Sequence, residues 1–184
     1  MSRARPERLI GILVVLVLLA AAVLVVALLS GPPPSAVPGP SGGMPAGVPA
    51  VVEHVTDGDT ITVLVDGVRE RVRYIGLDAP EIANDEDGTA AECGGDEARS
   101  ANADLAAGAE VVLEQDVSDR DRFGRLLRHV WLQTAGTWQV IGERLVEIGA
   151  VEARSYPPDT ARDAILDAAE RRARDAGLGI WGSC

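Results

Sequence analysis

Thr60-Ile61-Thr62-Val63-Leu64-Val65-Asp66-Gly67-Val68-Arg69-Glu70-Arg71-Val72-Arg73-Tyr74-Ile75 decides the fold of this chain. Thr60 to Val65 alternates polar and apolar side chains as a half-buried strand does. Asp66-Gly67 is a two-residue hairpin signal, because both positions tolerate the left-handed backbone that such a turn requires. Val68 to Ile75 then alternates again, with Val68, Val72 and Tyr74 on one side and Arg69, Arg71, Arg73 and Ile75 on the other. Upstream, Val51 to Val55 is a third extended run, joined to the first by the turn at Asp57-Gly58. Together they predict a three-stranded meander.

Downstream, Gly76-Leu77-Asp78-Ala79-Pro80-Glu81 ends regular pairing, since proline lacks an N–H and disfavours helix at the residue before it. Ile82 to Gly95 reads as an acidic loop. Asn84 to Gly88 resembles the start of a calcium loop, but Ala83 and Gly94 would fill positions 1 and 12, where acids are needed, so an EF-hand is excluded. Asp96 to Ala107 suits a helix with Ala98, Ala101 and Leu105 inward. Glu110–Glu114 and Phe123–Leu132 are further strands, separated by a charged turn, and Thr134 to Thr137 is another turn. A helix over Val140 to Ile148 carries an Ile141/Leu145/Ile148 stripe, and Gly149 stops it. A last helix, capped by Asp159 or Thr160 and reaching Ala176, would face inward through Ala161, Ile165, Ala168, Ala169 and Ala173. Trp181 is expected to be a packing anchor for it. The expected class is α+β: five strands with three helices, the strands closed into a small barrel that leaves no exposed edge.

The segment before this domain is of another kind. Residues 9–29 are an unbroken apolar run without charge or proline, roughly 30 Å long as a helix, which matches a bilayer core. Arg3, Arg5 and Arg8 precede it, and no basic residue follows before Arg69. Residues 1–8 are therefore expected in the cytoplasm and the remainder outside. A cleaved signal peptide has the same basic start but a shorter apolar region, so length favours an uncleaved single-pass transmembrane anchor. Residues 30–50 are rich in proline, glycine and small residues and read as an extended linker of up to roughly 60 Å. The working domain is 51–184. In an extracytoplasmic setting its two cysteines, Cys93 and Cys184, are expected to pair, which would add roughly 4–5 kcal/mol in the chain-entropy model.

Charge limits the function classes. The chain carries −11, and because residues 1–50 hold Arg3, Arg5, Arg8 and Glu7 only, the domain alone carries −13. Broad electrostatic capture of nucleic acid rests on basic side chains, and the acidic charge argues against it; a local basic pocket is compatible with that charge. Asp59, Asp78 and Glu81 put three carboxylates close in sequence to Arg73. Asp59 and Asp78 suit a calcium-sized cation, which prefers oxygen ligands. Glu81 is a candidate general base toward a water. Arg73 and Arg125 are candidates for a phosphate clamp, but Arg69 and Arg71, and Arg120, Arg122 and Arg128, share the same strand and turn rows. His54 and His129 lack metal-pair spacing and read as structural or exposed. Each acid alone would also suit an ordinary turn; the combination is what points to chemistry.

Asp57-Gly58-Asp59-Thr60, Arg73 five residues before Asp78-Ala79-Pro80-Glu81, Asp121-Arg122-Phe123-Gly124-Arg125, Glu143 to Gly149 and Gly179-Ile180-Trp181 occur in an order and spacing that resemble the staphylococcal nuclease (thermonuclease) family. The resemblance spans roughly residues 51–182. It implies an OB-fold barrel and calcium-dependent hydrolysis of phosphodiesters in DNA and RNA, with single-stranded or unpaired substrate and a monomeric domain. Matched by motif, Asp59 and Asp78 would be calcium ligands and Ala79 would supply a backbone carbonyl, where the family often has threonine. Glu81 would activate the attacking water, and Arg73 and Arg125 would bind the phosphate. The family's nucleotide-flanking tyrosines are reduced here to Tyr156, and the prototype is basic where this domain is acidic. A non-enzymatic OB-fold binding module at the cell surface is the alternative, because fold alone does not fix function.

Overall fold

The computed structural model describes residues 44–83 and 88–184. The expected transmembrane segment 9–29, most of the linker, and Asn84 to Asp87 of the acidic loop lie outside the described residues. No described helix is long and apolar enough to cross a membrane.

The meander forms as the alternation predicts. β1 (Val48–Val55) pairs antiparallel with β2 (Thr60–Val65), and β2 with β3 (Val68–Tyr74), in a register that sets Thr60 opposite Arg73 and Ile61 opposite Val72. β1 begins three residues before the expected start and pairs there with β5 (Glu110–Glu114), which pairs with β6 (Leu126–Thr134). The ring closes through a parallel pairing of β3 with β6, Val72 opposite Leu126 and Tyr74 opposite Arg128. Five strands therefore form the closed barrel, and the edges that an open sheet would expose are paired. A short antiparallel pair, β4 (Leu77–Asp78) with β8 (Glu152–Ala153), lies outside it.

Three helices cover the barrel, α1 (Gly95–Ala106), α2 (Ile141–Glu147) and α3 (Asp163–Asp175), and a fourth short one, α4 (Ile180–Ser183), ends the chain. The core joins strand residues Val52, Ile61, Val63, Val72 and Leu113 to Ile141, Leu145 and Val146 of α2 and Leu166 and Ala169 of α3. Such burial stabilises by about 1.5–3 kcal/mol for each large aliphatic side chain.

Several elements differ from expectation. The 134–137 turn is followed by a strand, β7 (Thr137–Val140), because Val112, Trp131 and Val140 make a second apolar cluster with Trp138 packed against it. In α2, Ile148 falls beyond the last turn and is exposed, while Val146 is buried in its place. α3 begins at Asp163, not near Asp159, because the Asp159 carboxylate accepts from the Val117 and Ser118 N–H groups (3.0 and 2.7 Å) and so ties down a distant loop. Its buried face is Leu166, Ala169 and Ala173, while Ala161 is exposed and Ile165 and Ala168 are only half-buried. Cys93 and Cys184 form the expected disulfide. Trp181 does pack, against Arg174, whose guanidinium carbon is 3.9 Å from the ring centre.

Candidate active site

The β1–β2 turn is held from three sides. The Asp59 N–H donates to Asp57 Oδ1 (3.0 Å), and the Asp59 carbonyl accepts from the Tyr74 N–H of β3 (2.9 Å). Tyr74, inside the barrel, donates its hydroxyl to Asn102 Oδ1 of α1 (2.9 Å), and Asn102 Nδ2 donates to the Asp57 carbonyl (2.8 Å). Gly58 is where this turn meets the next segment: a Cβ there would lie 2.6 Å from Ala79 Cβ and 2.8 Å from Ala98 Cβ. A larger residue there would force one of these neighbours to shift.

Asp59, only 1 % exposed, receives the Ala79 N–H on Oδ2 (2.9 Å) and the Thr60 hydroxyl on Oδ1 (2.9 Å). Arg73 joins the two acids: Nη1 pairs with Asp59 Oδ1, and Nη2 donates to Asp78 Oδ1 (2.6 Å). Thus two carboxylates lie within the span of one guanidinium. The half-buried Asp78 is also paired with Arg154. Burial pushes Asp59 up to about 7, with the Arg73 charge pulling the other way.

A cleft of about 630 Å³ opens over this cluster, lined by Arg73, Asp78, Glu81, Asp121, Phe123, Arg125 and Tyr156, among others. Glu81 is raised from the ordinary carboxylate range by partial burial, and further by the negative charges of Asp57, Glu92 and Asp78, against the pull of Arg73. Arg125 donates through Nε to Asp121 Oδ2 (2.7 Å) and through Nη1 to the Thr60 hydroxyl (3.3 Å), so it reaches Asp59 through Thr60. Asp121 is held below its usual range: partial burial opposes this, but the Arg125 side chain and backbone N–H outweigh it.

Of the six residues singled out from sequence, the cleft wall contains Arg73, Asp78, Glu81 and Arg125. Asp59 and Ala79 are not on that wall; they are joined to it through Arg73 and the Ala79–Asp59 hydrogen bond. Arg120, by contrast, is engaged by Glu70, and Arg128 by Asp119, each away from the carboxylate pair. Sequence reasoning missed Asp121 and the exposed Phe123 (60 %) as cleft residues, and Arg154 as a partner of Asp78. Asp121 had a signal, an acid four residues before an arginine in a turn; Arg154 had none, because a separate strand, β8, brings it to Asp78.

The residues suit a hard divalent cation. The side-chain donors are two carboxylates, which offer oxygen alone. Moreover, Asp59 stays raised by burial even with an arginine beside it, and a divalent charge would offset that desolvation. Among the described residues no group of three or more His, Cys, Asp or Glu side chains converges as a metal site.

Residues 71–183 match the family model described as staphylococcal nuclease homologue. The chain is 33 % identical over 131 residues to a thermonuclease of Staphylococcus intermedius, covering 71 % of this chain and 74 % of that protein. It is 32 % identical over 130 residues to a thermonuclease of Staphylococcus hyicus (71 % and 73 %), and 36 % identical over 137 residues to a micrococcal nuclease of Shigella flexneri (71 % of each). The match extends over the strands and helices that build the cleft, from β3 to α4. The chain belongs to the staphylococcal nuclease homologue family and is a thermonuclease-like nuclease.

Proposed function

We propose that the chain is a calcium-dependent phosphodiesterase that hydrolyses DNA, RNA or both, displayed outside the cytoplasmic membrane by residues 9–29. The observation that carries the catalytic part is the convergence of Arg73, Asp78, Glu81 and Arg125 on one cleft, with Asp59 buried behind it.

Asp59, Asp78 and the Ala79 carbonyl would hold Ca²⁺, which when bound supplies positive charge to the phosphodiester. Glu81 accepts a proton from a water as the water oxygen attacks phosphorus. Its raised affinity for a proton brings it nearer the working pH of a general base. The P–O bond to the sugar breaks on the opposite side, and its electron pair leaves with the sugar oxygen, which takes a proton from solvent water. Negative charge grows on the phosphoryl oxygens. Arg125 presents donors there, oriented by Asp121 and Thr60 before substrate arrives. Arg73 has one guanidinium for two carboxylates; with their charge offset by a bound cation, its fork would be free to donate to a phosphate oxygen. Phe123 and the 44 % exposed Tyr156 stand at the rim of the same cleft and offer apolar faces to bases.

The acidic domain places the burden of gripping a polyanion on this cleft and on the cation, which suits short, unpaired stretches of substrate. Display outside the membrane is supported by the apolar run after Arg3, Arg5 and Arg8 and by the disulfide, a bond of oxidising compartments. The chain should cut single-stranded DNA or RNA with calcium and not with a chelator, and protease added to intact cells should remove the domain. No cleavage with calcium present, or full protection from protease, contradicts the respective part.

A further inference from the structure

Glu81 lies in an irregular stretch after Pro80, so the barrel ladder does not hold it. A single residue grips it at both backbone polar groups. The Glu81 N–H donates to Glu92 Oε2 (3.0 Å), and the Glu92 N–H donates to the Glu81 carbonyl (2.9 Å). The residues after Glu92 are pressed into place. A Cβ on Gly95 would lie 2.4 Å from the Glu81 carbonyl oxygen, so backbone rests on backbone. At Gly94 (φ +90°) a Cβ would lie 2.5 Å from Ile180 Cγ2. Residues 92–95 are thus a wedge between the Glu81 segment and α4.

Cys93 sits within this wedge and is covalently joined to Cys184, the residue that follows α4. α4 is itself anchored: Ile180 N–H donates to the Gly149 carbonyl just past α2 (2.9 Å), and Leu178 N–H to the Ala173 carbonyl of α3 (2.9 Å). A mechanical path therefore runs from the helical layer through the disulfide and Glu92 to Glu81.

We propose that the Cys93–Cys184 disulfide, acting through Glu92, is the positioning device for Glu81, so that turnover depends on the bridge being closed. This rests on Glu81 being the general base. Opening the bridge is a two-electron step: a dithiol reductant gives up two electrons and two protons, the S–S bond becomes two thiols, and the reductant closes its own disulfide. The wedge then loses its covalent tie to α4, while the barrel and its core keep theirs. Misplacement of a reacting group by about 1 Å is enough to cost on the order of a hundredfold in rate.

The test compares the full-length chain in detergent before and after reduction by a dithiol, with Cys93→Ser/Cys184→Ser as a reductant-free counterpart. Expected are a kcat lower by about tenfold to a hundredfold, KM and calcium affinity by calorimetry within about twofold, and amide hydrogen exchange accelerated at Glu81 and Glu92 but not at Val52, Ile61 or Leu145. A reduced chain whose kcat and Glu81 exchange match the oxidised chain overturns the proposal, as does acceleration spread equally through the core. Should the cysteine variant fail to fold, Glu92→Ala with the bridge intact must lower kcat and Glu92→Gln must restore it, because the glutamine oxygen still accepts from the Glu81 N–H; unchanged kcat in Glu92→Ala also overturns it. Glu81→Gln separates the two layers. Full activity in that variant removes Glu81 from catalysis, whereas its inactivity beside a fully active reduced chain sinks the positioning role alone.

Discussion

Replacing Asn102 by alanine should be among the most damaging substitutions at a position outside the cleft. Asn102 is fully buried and serves two partners, accepting from the buried Tyr74 hydroxyl and donating to the part-buried Asp57 carbonyl. Truncation orphans both. A buried polar group left unpaired costs about 1–3 kcal/mol, so the pair predicts a loss of roughly 2–5 kcal/mol, a large share of a typical domain's stability. Tyr74→Phe removes one donor and orphans only the Asn102 oxygen, which predicts about 1–2 kcal/mol. The double variant should cost less than the sum of the two, because Tyr74 no longer has a hydroxyl to strand. Urea denaturation followed by tryptophan fluorescence reads all three, with the loss taken from the midpoint at constant slope. The same network holds the turn that carries Asp59, so calcium affinity should fall in Asn102→Ala as well. A loss under about 0.5 kcal/mol, within the range of ordinary surface substitutions, or strict additivity in the double variant, would refute this account of the turn.

Gly58→Ala should cost about 1–3 kcal/mol by overpacking and lower activity more than Gly67→Ala at the far hairpin, where a Cβ meets nothing within 4 Å; equal activities argue against the close approach of the turn to Ala79. His129 is 3 % exposed and held down to about 4 from 6.5, chiefly by burial and then by Arg162, against Glu114, Asp116 and Asp159. Its folded pKa lies below its unfolded one, so as pH falls from about 6.5 to about 4 the unfolded state takes up the proton first and stability drops. Over that window the wild type should lose about 3 kcal/mol relative to His129→Gln, and denaturation midpoints that run parallel across it would contradict this. Asp121→Asn should lower kcat about tenfold with KM nearly unchanged, since it loosens Arg125 without removing it; an unaltered kcat would show that Arg125 does not need this partner.

The meander was legible because the alternation over Thr60 to Tyr74 has one solution, with Ile61, Val63, Val72 and Tyr74 all buried on one face. Barrel closure followed from the need to pair strand edges, though the parallel β3–β6 contact that achieves it is long-range and leaves no local mark. The last helix was misphased because its start looked like a capping site, whereas Asp159 serves Val117 and Ser118 across the fold. β7 was missed for a similar reason: a cluster on the barrel exterior, not local pattern, holds Thr137 to Val140 extended. At the site, strand alternation left Arg69, Arg71 and Arg73 equivalent and the family motif singled out Arg73; in the structure the burial of Asp59 beside it sets it apart from neighbours that reach Glu53 and the Phe123 carbonyl. Arg154, and the hold of Glu92 on Glu81, depend on segments meeting in space, which a single sequence does not announce.

The central claim is that Glu81, Arg73 and Arg125 act together with a cation held by Asp59 and Asp78 to hydrolyse a phosphodiester. Its most direct test is cleavage of a single-stranded DNA oligonucleotide by the purified chain with calcium, with a chelator, and with Glu81→Gln and Arg125→Ala in calcium. Cleavage should require calcium, and each substitution should lower kcat by at least about a hundredfold, the usual scale for a general base or a transition-state donor. Cleavage that survives the chelator, or variants that keep more than a tenth of the wild-type rate, would contradict it.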